Sequence, residues 1–185
     1  MSALFLAGVD EATKAIIASG CEGKVFVAND NAPQQLVVAG LLAELDSFEK
    51  WVEINLKVRI QRIEVAGPWH TCFIETGKQL FSEWVTDRVL QTPEKTFIMN
   101  GPADVVHDAE RIRKLITEQL TNPVHWRQSL SRAIELGARE FVEVGPSRVL
   151  TGLLRANKLT RQLRFIGSVT SLEECHLFSL TESSQ

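Results

Sequence analysis

The order of elements in the sequence predicts a mixed α/β (α+β) chain in two parts: a βαββαβ subdomain over residues 1–65, then part of a parallel-sheet subdomain over residues 66–185. Three observations carry that expectation. Hydrophobic periodicity switches between 2 and 3.6 residues in the order strand, helix, strand, strand, helix, strand up to residue 65. Beyond it, short apolar runs alternate with longer helical patterns, the signature of a parallel sheet with crossover helices. Those later runs number only three, too few for a complete doubly wound sheet, so central strands are expected to be missing.

Taken in order, residues 3–8 form the first apolar run. A helix then begins at Asp10, with Ala12, Ala15, Ile16 and Ile17 on one side and Gly20 as its stop. Residues 24–28 and 35–39 are β-branched and apolar, and the Asn, Asp and Pro cluster between them reads as a turn. A helix over 40–54 spaces Leu41, Leu42, Leu45, Phe48 and Val52 for one buried face. Residues 57–65 alternate, with Val58, Ile60 and Arg62 on one side and Arg59, Gln61 and Ile63 on the other. The βαββαβ order is ferredoxin-like and can bury one face of a four-stranded antiparallel sheet under two helices.

Helical periodicity resumes over 71–90, and residues 95–99 read as a buried strand. Helices follow over 109–120 and 123–136, joined at Asn122-Pro123, with Pro near a helix start. A strand over 140–144, a helix over 147–157 and a strand over 163–169 complete the pattern. Ser147 stands before a helix and reads as its N-cap.

At 185 residues, 44% hydrophobic and 23% charged, the chain has the composition of a globular protein with a real core. No apolar stretch approaches the roughly 20 residues of a membrane helix, and the N-terminus lacks a secretory pattern, so no membrane association and a cytoplasmic location are expected. Cys21, Cys72 and Cys175 are odd in number and widely spaced, which suggests neither a disulfide framework nor a zinc site. The net charge of −3 argues against nucleic acid. Between Arg111 and Arg164, however, eleven Lys or Arg face four Glu, a stretch that an acidic partner could use unless it forms solvated helix faces.

Of the four histidines, His70 has the most suggestive setting. It ends a strand-like run and begins a helix-like one, where an imidazole can be held rigidly beside a pocket. Neither a Ser nor a Cys stands in a nucleophile elbow for it to activate; Cys72, two positions on, would diverge from it at helical spacing. His107, His125 and His176 form no metal-ligand spacing with each other and read as solvated or structural, so no metal is expected.

Four segments together resemble the malonyl-CoA:acyl carrier protein transacylases and the related acyltransferase domains of polyketide synthases, in their C-terminal part. Asn29-Asp30-Asn31-Ala32-Pro33-Gln34-Gln35-Leu36-Val37-Val38-Ala39-Gly40 resembles the family's N-x-N-S-P-x-Q-x-V-x-x-G, and Gly67-Pro68-Trp69-His70 resembles its P-F-H or P-S-H. Gln119-Leu120-Thr121-Asn122-Pro123-Val124-His125-Trp126 resembles Q-L-x-x-P-V-x-W. Glu143-Val144-Gly145-Pro146-Ser147-Arg148-Val149-Leu150-Thr151-Gly152-Leu153 resembles E-V-G-P-x-x-V-L-T-G-L. They occur in family order at family-like spacing.

The resemblance implies that residues 66–185 are the C-terminal portion of an incomplete α/β-hydrolase-like subdomain. It implies chemistry in which an elbow serine attacks the malonyl thioester, backbone N–H groups hold the oxyanion, and a histidine moves the serine proton to the departing thiol. By resemblance His70 is that base, and the backbone carbonyl of Gln119 orients its other ring nitrogen. Trp69 borders the acyl pocket, where an indole should favour malonyl or smaller groups over methylmalonyl, and Asn31 is a substrate-binding candidate. The implied substrate is malonyl-CoA and the acceptor the phosphopantetheine of an acyl carrier protein, with no bound cofactor.

The match begins at the family's first ferredoxin-like strand. The serine elbow, one oxyanion donor and the malonate-binding arginine therefore fall outside the matched residues. Gly145-Pro146-Ser147-Arg148-Val149 imitates an elbow but carries Val149 where the second Gly belongs. Two expectations follow. The chain supplies the general base to a malonyl-transfer site completed by a separate chain with the serine, or it is an inactive fragment or a docking module for the carrier protein. In either case the strands over 95–99 and 140–144 should expose apolar surface and favour a partner or self-association.

Overall fold

In the computed structural model, residues 1–159, 163–171 and 173–174 are described. They form a mixed α/β chain with two compact units, Met1–Ser129 and Leu130–Gln185. Cys175 and His176 lie outside the described residues.

The first unit begins with β1 (Ser2–Leu4), α1 (Gly8–Ala18), β2 (Val25–Ala32), β3 (Gln35–Gly40), α2 (Leu42–Asn55) and β4 (Ile60–Arg62). The strands pair antiparallel in the order β2-β3-β1-β4, which is the ferredoxin-like topology. Leu4 sits opposite both Leu36 and Ile60, so one register sends a single row of apolar side chains towards the helices. Those side chains, with Val25 and Val38, pack on Ala12, Ala15 and Ile16 of α1 and on Leu45, Phe48 and Val52 of α2. Ile17, Leu41 and Leu42, expected on the buried faces, are instead exposed. Ile17 is turned out at the end of α1, while Leu41 and Leu42 occupy the first, peripheral turn of α2.

Gly20 ends α1 with φ +72°, and the N–H groups of Gly20 and Cys21 close back on the carbonyls of Ile17 and Ile16. Gly40 is required for a different reason. A Cβ there would sit 2.3 Å from the Lys24 carbonyl oxygen, so only glycine lets β3 close against the start of β2.

The sheet is buried on its second face as well, where Ala28, Val37 and Ala39 meet Met1 and Ile63. A larger difference from the sequence reading lies in β2. The Asn29-Asp30-Asn31 cluster is not a turn but part of the strand, and only Pro33 and Gln34 make the hairpin. Two register shifts, between Val27 and Asn29 and between Asp30 and Ala32, absorb extra residues as bulges. Turn-forming composition loses here because strand pairing and the burial of Asp30 satisfy the polar groups that would otherwise favour a turn.

A 3-10 turn (Cys72–Ile74) leads into α3 (Glu75–Thr86), which lies against α4 (Ala109–Glu118). Arg113 of α4 donates to the carbonyls of Val85 and Arg88, satisfying the open end of α3. The strand expected over 95–99 shrinks to β5 (Ile98–Met99), which pairs antiparallel with β6 (Asp104–Val105). The chain reverses through residues 100–103, and Met99 is buried with Val106, Ile112 and Leu115 rather than in a parallel sheet. Helix α5 (Trp126–Glu135) runs out of the first unit.

In the second unit, β7 (Glu140–Val144), α6 (Val149–Ala156) and β8 (Phe165–Val169) form a parallel β-α-β crossover. Ser147 is not the N-cap of α6. That position is Arg148, which makes no side-chain cap, and the Glu143 carboxylate caps the helix instead by accepting from the amides of Leu150 (3.1 Å) and Thr151 (2.7 Å). Burial opposes the charge on Glu143, but hydrogen bonds from Thr151, Leu150 and Ser147 outweigh it and hold the carboxyl below its ordinary 4.5. Parallel strands are normally covered on both faces, yet Val144 is 74% exposed.

Candidate active site

His70 follows Pro68 and Trp69 in a sharp bend with φ +63°, in the left-handed region that costs a residue with a Cβ roughly 1–2 kcal/mol. Hydrogen bonds hold it there. Its backbone N–H donates to the Leu120 carbonyl at 2.9 Å, and its ring Nδ1 lies 2.8 Å from the Gln119 carbonyl oxygen. Thr71, 2% exposed, locks the bend from below by donating to the Pro68 carbonyl at 2.6 Å and accepting from the Phe73 amide.

The Gln119 carbonyl can only accept, so Nδ1 must carry the proton. In the neutral ring Nε2 is then the acceptor, with no hydrogen-bond partner among the described residues. Gln119 and Leu120 follow α4 directly, where a helix leaves carbonyls unsatisfied. The carbonyl that orients His70 thus stands at the C-terminal end of a helix whose Ile112 and Leu115 are packed in the core.

The Gln119 side chain donates to the Asn122 carbonyl at 3.2 Å. The chain then passes Val124, whose N–H donates to the Ala28 carbonyl and whose carbonyl accepts from the Asp30 N–H, in a parallel bridge on the edge of β2. Asp30, 2% exposed, accepts from Arg127 Nε (3.1 Å) and Nη2 (2.7 Å) and from Gln128 Nε2 (2.7 Å). The hydrogen bond from Arg127 to the Asp30 carboxylate, with the carboxylate's charge, raises the Arg127 pKa above its ordinary value against the opposing effect of burial.

Of the residues singled out in the sequence, His70 and Gln119 are therefore in direct contact. Trp69 is 39% exposed beside His70 in the chain. Asn31 is half-buried at the second bulge of β2. His125 donates from Nδ1 to the Gly101 carbonyl at 2.6 Å, and its backbone N–H bonds Asn100. This fastens the 100–103 turn, so that of the two readings of His125, solvated or structural, the geometry is that of the second. Cys72 is exposed and His107 lies in an exposed loop. No group of three His, Cys, Asp or Glu among the described residues could hold a metal ion. Asp30, Arg127 and Gln128 form a cluster that the turn-like composition around Asp30 does not announce.

No family model matches the chain. Over 150 residues it is 29% identical to the malonyl CoA-acyl carrier protein transacylase of Synechocystis sp., covering 80% of this chain and 50% of that protein. The crystal structure of MCAT from Streptococcus pneumoniae superposes with a TM-score of 0.84 at 26% identity, over 98% of this chain and 58% of the other. A type II PKS acyl-carrier protein in complex with its malonyl-transacylase has the same fold, with a TM-score of 0.82 at 22% identity over 94% of this chain and 55% of the other. The chain spans about half the length of the curated relatives it matches. No helix among the described residues is long and apolar enough to cross a membrane.

Proposed function

The chain is a homologue of the malonyl-CoA:acyl carrier protein transacylases, and on that premise we propose that it carries the general base of a malonyl-transfer site whose serine comes from another polypeptide segment. The observation that supports this most is the 2.8 Å contact between His70 Nδ1 and the Gln119 carbonyl, which leaves Nε2 as the acceptor on the other side of the ring. In the proposed reaction Nε2 takes the serine hydroxyl proton as the serine oxygen bonds to the malonyl carbonyl carbon. The tetrahedral oxyanion then collapses, the carbon–sulfur bond breaks, and the imidazolium returns the proton to the coenzyme A sulfur. The phosphopantetheine thiol of an acyl carrier protein reverses these steps to accept the malonyl group. Trp69 limits the size of the acyl group, and Asn31 contributes to substrate binding. We place residues 1–65 as the small subdomain of this assembly and the protein in the cytoplasm.

Exposed apolar surface favours completion by a partner, either a separate serine-bearing chain or a further copy. Leu80 (64%), Trp84 (55%) and Val89 (89%) are exposed in the first unit, and Val144 and Val149 (62%) in the second. Incubation with malonyl-CoA followed by intact mass measurement tests the assignment. The chain alone should stay unmodified, and a malonyl adduct should form on the serine-bearing polypeptide when the two are mixed. A covalent malonyl adduct on this chain alone would refute it, because the nucleophile would then lie among these residues.

A further inference from the structure

His70 is oriented by a carbonyl at the C-terminal end of α4, and the residues that follow that carbonyl are fastened to β2. Residues 119–120 follow α4, and from there the chain runs to Val124, which pairs with the edge of β2, and to Arg127 and Gln128, which grip Asp30. One side of this short stretch therefore holds the imidazole, through Gln119 and Leu120. The other is fixed to the ferredoxin-like sheet by backbone bonds of Asp30 and Ala28 with Val124, at 2.8 and 2.9 Å, and by a bidentate ion pair.

Asp30 lies at a place where a strand pays heavily for a carboxylate. It is 2% exposed, between two bulges of β2. A buried carboxylate is tolerated only when paired and hydrogen-bonded, and a well-packed apolar residue would often serve stability as well. Its pairing geometry is specific. The guanidinium presents two N–H groups and the Gln128 amide a third donor, so the carboxylate fixes both the position and the rotation of the segment around Val124. Ion pairs of this kind set register where a rotation would otherwise be soft.

We propose that Asp30, with Arg127 and Gln128, is a positioning residue for His70: the clamp sets the register of residues 119–128 on β2 and thereby aims the Gln119 carbonyl at the imidazole. The functional weight of this inference rests on the reading of His70 as general base; its geometry does not. Without the clamp, Val124 can shift along the bulged edge, the Gln119 carbonyl turns away, and nothing selects the Nδ1–H tautomer.

The test is made on the full chain alone, labelled with 15N-histidine, by recording the His70 ring nitrogens in long-range 1H–15N spectra. The unmodified chain should show a protonated Nδ1 and an unprotonated Nε2 in the neutral ring. Asp30→Asn should bring the two nitrogen shifts together as the tautomers mix, and Arg127→Lys, which keeps the charge but not the fork, should move them the same way by less. Phe48→Leu, a core change in α2 on the helix-covered face of the same sheet, should leave them in place. If Asp30→Asn fails to fold, Arg127→Lys decides. An unchanged tautomer in folded Asp30→Asn or Arg127→Lys overturns the proposal, and so does an equal change in Phe48→Leu. The spectra need no partner or activity, so failure of the transacylase reading would leave this result intact.

Discussion

Replacing Asp30 with Ala should destabilise the first unit by about 3 kcal/mol. The carboxylate accepts two bonds from Arg127 and one from Gln128 while 2% exposed. Removing one partner of a buried ion pair typically costs about 3–5 kcal/mol, because the other charge loses its compensation. The Arg127 side chain is 38% exposed and can turn to water, which places the value near the low end of that range. The Gln128 amide left without its acceptor and the gap left by the carboxylate add modestly to it. Urea denaturation followed by tryptophan fluorescence measures this directly, since Trp51, Trp69, Trp84 and Trp126 all lie within Met1–Ser129. With a slope of about 2 kcal/mol per molar urea, the midpoint should fall by about 1.5 M at unchanged slope. A fall below about 0.5 M would mean that the pair contributes little and that the backbone bonds at Val124 hold the segment unaided.

Other expected outcomes reach different parts of the chain. Phe48→Ala should cost about 3–5 kcal/mol, because the ring is fully buried between α2 and the sheet, while Ile54→Ala, at a 72% exposed position, should change stability by less than about 0.5 kcal/mol; the same urea titration checks both. The folded-state pKa of Glu143 lies below its unfolded value near 4.5, so its contribution to α6 is present above that pH and is lost as pH falls through the lowered value. Amide exchange at Leu150 and Thr151 should therefore accelerate in acid, and Glu143→Gln should flatten that dependence. In a reconstituted transacylase, Trp69→Ser should raise methylmalonyl use relative to malonyl by about tenfold, the scale of a methyl group's fit in an apolar pocket; an unchanged ratio would mean that Trp69 only lines the surface.

The parts of this fold that were legible in the sequence are those set by local periodicity. The spacing of Leu45, Phe48 and Val52 is enough to place α2 on the sheet, and the βαββαβ order leaves few topologies. Where turn chemistry and strand pairing competed, composition misled. Asn29-Asp30-Asn31 has the residues of a turn, yet pairing with β3 and with Val124 makes it strand, and the buried Asp30 finds its partner 97 positions away. Ser147 likewise has cap chemistry, but Glu143 reaches the helix amides first. The contact of His70 with Gln119 was reached only through family resemblance, because nothing in spacing alone joins residues 49 positions apart. The Asp30 clamp had no such guide and became visible only in three dimensions.

The general-base assignment is tested most directly by malonyl transfer to holo acyl carrier protein in a mixture of this chain and a polypeptide carrying the serine segment of a transacylase. Transfer should require both chains, and His70→Ala should lower its rate by about 10²–10⁴-fold, the range of a positioned general base, with the pair still associated. A rate that His70→Ala leaves unchanged would contradict the assignment of His70 as the base.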